Sequence, residues 1–382
     1  MKVLLTTPTY PPFNSGLGNA VHRHALGLRK HGFDVVVATG GQQRATAVVD
    51  DIRVERFAVT GADYLRSPIR GDVDSYRKFL LSETCDAIVL EAWQTWSTDI
   101  ALQLADQLKA RKYLYSHCVS TNSWLPYMPV RSLAFYLLWR PYWWTIKQKI
   151  AKLDGMIFLA DGGSDDRFDD LAAARKVGVP IHVIPNSCQD SALDMPALER
   201  DHIISVGSYT PAKGFDYVLE AYARSSAKNV VPLALFGQEH TGFSDTLRQQ
   251  AQNLGLDPSV VTFNSGVAGV ALLQHYSRAR LFISGSHTEC QPLVLLDAMA
   301  MGTPFVARAT GCIATMPGGE AVISIAEAAD AIDLLLSNAE VWSGHSAAGL
   351  QAAQSTYADA RNSALLADLL SDGRLQSSVA IP

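Results

Sequence analysis

No C-x-x-C pair occurs in these 382 residues, and the five cysteines (85, 118, 188, 290 and 312) are scattered and odd in number. Such spacing suggests neither a disulfide framework nor a zinc site, and a reducing cytosol suits it. An excess of positive charge is missing too. The net charge of −5 and isoelectric point near 6.1 argue against nucleic acid as the main partner. Repeats and low-complexity tracts are absent. The opening MKVLLTTPTYPP is too brief, and too soon broken by proline, to read as a secretion signal. Acid is lacking locally: from Gln107 to Leu153 there is no Asp or Glu, against eight basic residues (Lys109, Arg111, Lys112, Arg131, Arg140, Lys147, Lys149 and Lys152).

What is present is ample core material. Hydrophobic residues make up 48% and charged residues 18%, and the length suggests about two domains. Short β-rich runs alternate with amphipathic helical stretches, the pattern of βα units wound on a parallel sheet. The first series is Val3 to Thr6, Val35 to Ala38, Ile88 to Leu90, Tyr113 to Tyr115, Met156 to Leu159 and His182 to Ile184. A second follows at Ile203 to Val206, Leu233 to Phe236, Val260 to Phe263, Leu281 to Ser284 and Phe305 to Ala307. The polar, proline-punctuated PNSCQDSALDMPALERD lies between them. The expectation is an α/β protein of two doubly wound, Rossmann-like domains facing a cleft: residues 1–186, a linker at 187–200, and residues 201–382. Its last helix is free to pack back on the first domain. Ligands of such sheets bind beyond the carboxyl ends of the strands.

After the first strand, PTYPPFNSGLGNAVHRHALGLRKHG reads as a glycine-bearing loop (Gly16, Gly18) feeding a helix that stops at Gly32. It is not a dinucleotide fingerprint, because the third small position of G-x-G-x-x-G falls on Val21 and the loop is too long. It reads either as a helix N-terminus offering N–H groups to an anion or acceptor, or as an ordinary βα connection.

The stretch HTECQPLVLLDAMAMGTPFVA puts one carboxylate, Glu289, where a strand gives way to a helix, and a second, Asp297, inside an otherwise apolar helix. An acid removed from water needs a partner. A vicinal diol such as ribose suits Asp297, since a carboxylate accepts two hydroxyl hydrogen bonds at once. Pro292 suits the first turn, with Leu293, Leu296 and Ala300 on the core face, and the backbone from Cys290 through Gln291 to Leu293 can face the same ligand. A second junction, SVGSYTPAKGFDYVLEAYA, places Ser208 and Lys213 in a glycine-flanked loop, where lysine is a plausible diphosphate ligand.

These motifs resemble those of the retaining glycosyltransferases of family 4, glycosyl transferases group 1, which have the two-domain GT-B fold. The family's E-x-x-x-x-x-x-x-E motif before AM-x-x-G-x-P is matched by Glu289, Asp297 and AMAMGTP, with aspartate as the second acid. The resemblance implies that Glu289 contacts the donor sugar and Asp297 the ribose. Asn186 and Ser187 in VIPNS resemble the interdomain segment that usually reads IPNG. His117, ending YLYSHCVS, resembles the histidine beside the donor sugar. Where the family has arginine in V-G-R-L, this chain has Ser208, leaving Lys213 without its usual cationic companion.

The resemblance further implies transfer of a sugar from a nucleotide diphosphate sugar to an acceptor hydroxyl with retention, in cell-envelope glycan or lipopolysaccharide synthesis. The acceptor attacks on the face of departure and the leaving phosphate takes its proton, so no protein nucleophile is needed. No metal or other cofactor is expected, since no D-x-D-like cluster adjoins the phosphate loop. The competing readings are a nucleotide-sugar epimerase, a phosphorylase-type enzyme, and a catalytically silent sugar-nucleotide-binding partner subunit.

The acid-free region also carries Trp124, Tyr127, Phe135, Trp139, Tyr142, Trp143 and Trp144. Prolines and arginines (Pro126, Pro129, Arg131, Arg140, Pro141) break it short of the roughly 20 apolar residues a span requires. Its mixture of aromatics and cations suits an anionic membrane surface or, alternatively, a core helix or acceptor groove. The expected location is therefore cytoplasmic, with residues 107–153 able to meet the inner face of a membrane.

Overall fold

The computed structural model describes residues 1–13, 15–63, 67–119, 129–163, 165–196 and 198–373. Trp124, Tyr127 and the side chain of Arg131 lie outside the described residues. Two compact units are formed, Met1–Asn186 with Asp359–Pro382, and Ser187–Ala358.

In the first unit the strands are β1 (Lys2–Thr6), β2 (Asp34–Gly40), β3 (Ala45–Val49), β4 (Ile52–Phe57), the short pair β5 (Val59–Thr60) and β6 (Arg70–Gly71), β7 (Ala87–Glu91), β8 (Arg111–Ser116), β9 (Gly155–Phe158) and β10 (Ile181–Val183). The main sheet runs β10-β9-β8-β7-β1-β2-β4-β3 and is parallel except for the β3–β4 hairpin. That hairpin turns through Asp50 and Asp51, both at positive φ (48° and 60°), as the tight turn matching strand twist requires. Val3, Leu4 and Leu5 of β1 and all of β7 are buried, because helices cover both faces of a parallel sheet. Such strands read as apolar runs, which is why they were legible in sequence.

The second unit holds β11 (His202–Val206), β12 (Leu233–Gly237), β13 (Val261–Ser265), β14 (Ala279–Ser284), β15 (Phe305–Arg308) and β16 (Gly319–Val322), all parallel in the order β13-β12-β11-β14-β15-β16. The sequence reading passes over β16, β3 and β4.

In each sheet the winding reverses beside the first strand. The chain leaves β1 toward β2 on one side, with β7 on the other; it leaves β11 toward β12, with β14 on the other. Connections diverge at those two places and open a crevice at the carboxyl ends of the strands.

The last helix and residues 187–200 complete the division. The helix Asp359–Asp372 belongs to the first unit: Lys30 Nζ lies 3.0 Å from Asp359 Oδ2, and a Cβ on Gly27 would stand 2.5 Å from Ser363 Cβ. Only glycine allows that approach, and the last helix packs on the first unit, the arrangement the sequence left open. Residues 187–200 are part of the second unit rather than a loose linker. The Cys188 N–H donates to the Tyr357 carbonyl at 2.9 Å, Ala192 is buried, and Arg200 donates to Thr303 Oγ1 at 2.7 Å.

The helix Pro129–Ile150 has two unlike faces. Ser132, Trp139, Tyr142, Ile146 and Ile150 are buried. On the opposite side Val130 (81% exposed), Leu133 (52%), Leu137 (59%) and Trp144 (73%) form a bare apolar stripe at helical spacing. No helix among the described residues is long and apolar enough to cross a membrane.

Candidate functional site

The crevice of the second unit brings Lys213 and Glu289 together. Lys213 ends the loop after β11 and Glu289 follows β14, the two strands flanking the reversal point. These loops touch through glycine: Gly214 has φ +61°, and a Cβ there would stand 2.0 Å from the Gly285 carbonyl oxygen, with the reverse clash at 2.1 Å. The His287 N–H and Ser286 Oγ both donate to the Ala212 carbonyl, at 2.9 and 3.2 Å. With the backbones locked, Lys213 Nζ lies 2.6 Å from Glu289 Oε1, the lysine about a third exposed and the glutamate largely buried.

Asp297 is buried on the helix Leu293–Ala300, and Gln189 Nε2 donates to its Oδ2 at 3.1 Å. Pro292 is the extended residue just before the helix, not its first turn. Leu295, Leu296 and Ala298 to Ala300 face the core, whereas Leu293 is only half-buried, because the helix begins one residue later than its proline suggests. Cys290 and Gln291 complete the approach. The Cys290 carbonyl accepts from the Cys312 N–H at 3.0 Å, and a Cβ on Gly311 would collide with the Glu289 and Cys290 carbonyls at 2.3 and 2.4 Å. The turn at Thr310 to Cys312 is therefore a backing plate for Glu289, a contact that no spacing announces.

Ser208 is exposed at the start of the β11 loop. A further cation, Arg308, stands at the carboxyl end of β15. Its guanidinium lies over the Tyr217 ring, 4.2 Å from the centroid, and contacts His287. Burial first, and then Arg308, hold the pKa of His287 down to about 4.

Gly16 and Gly18 lie inside the first turn of the helix Gly16–Lys30, not in a loop ahead of it. The helix is capped by Ser15, whose Oγ accepts from the Gly18 N–H at 2.9 Å and lies 2.7 Å from Thr9 Oγ1. A Cβ on Gly18 would sit 2.9 Å from Ser15 Oγ and 3.1 Å from the Thr9 carbonyl oxygen, whereas nothing lies within 4 Å of one on Gly16. The Gly18 N–H is thus bonded within the protein, as in an ordinary capped helix start.

His117, just after β8, is not alone. Its Nε2 lies 2.9 Å from Glu91 Oε2, and His24 Nδ1 lies 3.0 Å from Glu91 Oε1. Tyr115 stacks against both imidazoles, with centroids 4.4 Å from His24 and 5.2 Å from His117. Glu91 ends β7, is fully buried and is the acid at this sheet's reversal point. Burial raises its pKa, but the imidazoles, His24 foremost, outweigh that and hold it down to about 2. Among the described residues, His24, Glu91 and His117 also form the one group able to hold a metal ion, with ligand atoms within 4.8 Å of one another.

The surrounding backbone is strained. Ala92 and Gln94 after β7, and Cys118 after β8, have φ of 73°, 59° and 76° without being glycine. Such residues cost on the order of 1–3 kcal/mol each and gather where a site is being shaped. Buried Asp170 ties the two loops: its Oδ2 accepts from Trp93 Nε1 at 2.9 Å and Ser116 Oγ at 2.6 Å. Desolvation pushes its pKa up to about 6. Sequence reading singled out His117 and passed over His24 and Glu91, which the fold sets beside it; an acid ending the apolar run AIVLE was the available signal.

The acid-free stretch of sequence is not acid-free in space. Lys149 lies 3.2 Å from Asp63 and 3.9 Å from Asp99, with Nζ 3.3 Å from the Tyr142 ring centroid. Lys152 lies 3.2 Å from Asp106 and Lys112 3.5 Å from Asp154. Arg111 donates to the Leu370 carbonyl.

Residues 200–338 match the family described as Glycosyl transferases group 1. The alpha-monoglucosyldiacylglycerol synthase of Streptococcus pneumoniae is 28% identical over 156 residues, covering 36% of this chain and 35% of that protein. A D-inositol 3-phosphate glycosyltransferase of Mycolicibacterium paratuberculosis is 34% identical over 123 residues, 32% of this chain and 27% of its own. The chain thus spans about a third of the length of the curated relatives it matches. Likeness in fold extends over the whole chain. Sucrose-phosphate synthase from Thermosynechococcus elongatus superposes with a TM-score of 0.71 at 17% identity, over 96% of this chain and 98% of that one. WaaG, a glycosyltransferase involved in lipopolysaccharide biosynthesis, gives 0.66 at 17% over 97% and 100%. Anabaena HepE in complex with UDP and glucose gives 0.68 at 16% over 97% and 99%.

Proposed function

Because the chain has the GT-B fold and its residues 200–338 are of the glycosyl transferases group 1 family, we propose that it moves a sugar from a nucleotide diphosphate sugar to an acceptor hydroxyl, with retention at the anomeric carbon and without a metal. The observation that carries this reading is the Lys213–Glu289 pair at the reversal point of the second sheet, with Asp297 buried on the helix that follows. Lys213 supplies a point charge for the diphosphate, Glu289 accepts from the sugar hydroxyls, and Asp297 accepts from the ribose diol. An ammonium already positioned beside the crevice needs no reorganisation as charge develops on the leaving phosphate. Loss of the donor bond and gain of the acceptor bond occur on one face, and the leaving phosphate oxygen takes the acceptor proton.

A lipid-linked or glycan acceptor of the cell envelope, reached from a cytoplasmic membrane surface, fits the bare stripe of Val130, Leu133, Leu137 and Trp144 beside Arg140 and Lys147. The similarity to an alpha-monoglucosyldiacylglycerol synthase supports the same class of acceptor.

The experiment is a thermal-shift screen against UDP-, GDP- and ADP-linked sugars, followed by transfer assays with the stabilising donor and NMR of the product's anomeric proton. Stabilisation and a product retaining the donor's anomeric configuration are expected. Donor binding with no transfer to any acceptor would leave a silent partner subunit, donor turnover without acceptor an epimerase, and an inverted product would overturn retention.

A further inference from the structure

We propose that Glu91 is a positioning residue that fixes His24 and His117 as a pair of hydrogen-bond acceptors, His24 through Nε2 and His117 through Nδ1, for two hydroxyl groups of a sugar ligand. The catalytic consequence rests on the transferase reading above; the arrangement itself does not.

The argument starts from a fully buried carboxylate with one imidazole nitrogen on each oxygen, at 3.0 and 2.9 Å. An ionised carboxylate can only accept, so both nitrogens facing it carry hydrogen. A neutral imidazole carries one N–H, which makes the far nitrogen of each ring a lone-pair acceptor. Glu91 thereby sets two tautomers at once. Tyr115 sets the ring planes, 13° from His24 and 23° from His117, and it is buried enough that its hydroxyl stays protonated. Among the described residues no side chain pairs with His24 Nε2 or His117 Nδ1, while both rings retain about a tenth of their surface for a ligand. The three groups come from separate parts of the chain, the helix after β1 and the ends of β7 and β8, and meet at the reversal point of the first sheet. Two acceptors on rigid rings match the donors of a polyol. The diphosphate linkage of a nucleotide sugar, fully ionised at neutral pH, has none to offer.

The test is long-range proton–nitrogen NMR of the histidine side chains in the full chain, at alkaline pH where free imidazole is neutral. The expected spectrum has His24 protonated at Nδ1 and His117 at Nε2. In Glu91→Gln an amide can accept from only one imidazole and must donate to the other, so one of the two tautomers should invert. The same variant should lower kcat by about 100-fold, the scale of a misoriented group, while nucleotide affinity stays near wild type. Because Glu91 acts through the histidines, Glu91→Gln combined with His117→Ala should be no slower than His117→Ala alone. Should Glu91→Gln fail to fold, His24→Asn is the second variant, with slower turnover and an unchanged His117 tautomer expected. Opposite tautomers in wild type, two unchanged tautomers in Glu91→Gln, or a double variant carrying the product of both losses would overturn the proposal. So would one equivalent of zinc bound tightly by wild type, which would make Glu91 a metal ligand. The spectra decide the arrangement even if no transfer is ever found.

Discussion

Lys213 Nζ rests 2.6 Å from Glu289 Oε1, across 76 residues of sequence, because Gly214 and Gly285 let two loops touch where a Cβ would not fit. The contact fixes a cation and an anion at the mouth of one crevice. Replacing Lys213 by methionine should lower kcat/KM by at least about 100-fold, as loss of one preorganised charge donor typically does, and should weaken diphosphate binding. Glu289→Gln should reduce kcat far more than nucleotide affinity. Equal losses of both parameters in Glu289→Gln would remove it from the donor sugar.

Asp297 tests the other end of the donor. Asp297→Asn keeps the shape but gives up charge-assisted bonds worth about 1.5–3 kcal/mol, so nucleotide diphosphate affinity should fall about tenfold or more by calorimetry. Unchanged affinity would remove Asp297 from the ribose site.

Activity should survive chelation by EDTA, since Lys213 is the cation beside the diphosphate in the proposed site. Abolition by chelator with recovery on adding magnesium or manganese would defeat that expectation.

Asp170 carries a pH prediction. Burial raises its pKa to about 6, above the ordinary carboxylate value near ~3.9, so the folded state holds its proton more tightly than the unfolded one. Stability from this group is full below about pH 4 and is lost as pH rises through about 6. Asp170→Asn does not titrate. The unfolding free energy of the variant minus that of wild type should therefore rise between pH 4 and pH 7, by on the order of 2–3 kcal/mol. A difference that stays flat across that window would disprove the assignment.

Vesicles containing phosphatidylglycerol should pull down the protein at low salt, and Leu137→Ser with Trp144→Ser should abolish this. Each large apolar side chain contributes up to about 1.5–3 kcal/mol when buried. Lys149→Gln should change little, because Lys149 already lies against Asp63 and the Tyr142 ring. Strong dependence on Lys149, with none on the stripe, would make the attraction purely electrostatic.

The sequence by itself determined the alternation of βα units, because strands covered on both faces must be apolar along their length, as VLLT and AIVLE are. It also gave away Glu289, Asp297 and Lys213, since a charge at a strand-to-helix junction or inside an apolar helix is conspicuous against its neighbours. Tertiary structure alone decided which of these meet. Strand order, not spacing, sets β14 beside β11 and β7 beside β1. His24, Glu91 and His117 are separated by 67 and 26 residues, and each taken singly looks like a helix-surface or strand-end residue. The acids that neutralise Lys112, Lys149 and Lys152 come from outside the acid-free stretch or its border, so the local charge count overstated the field there. Electrostatics acts through space, whereas periodicity records only the chain's own path.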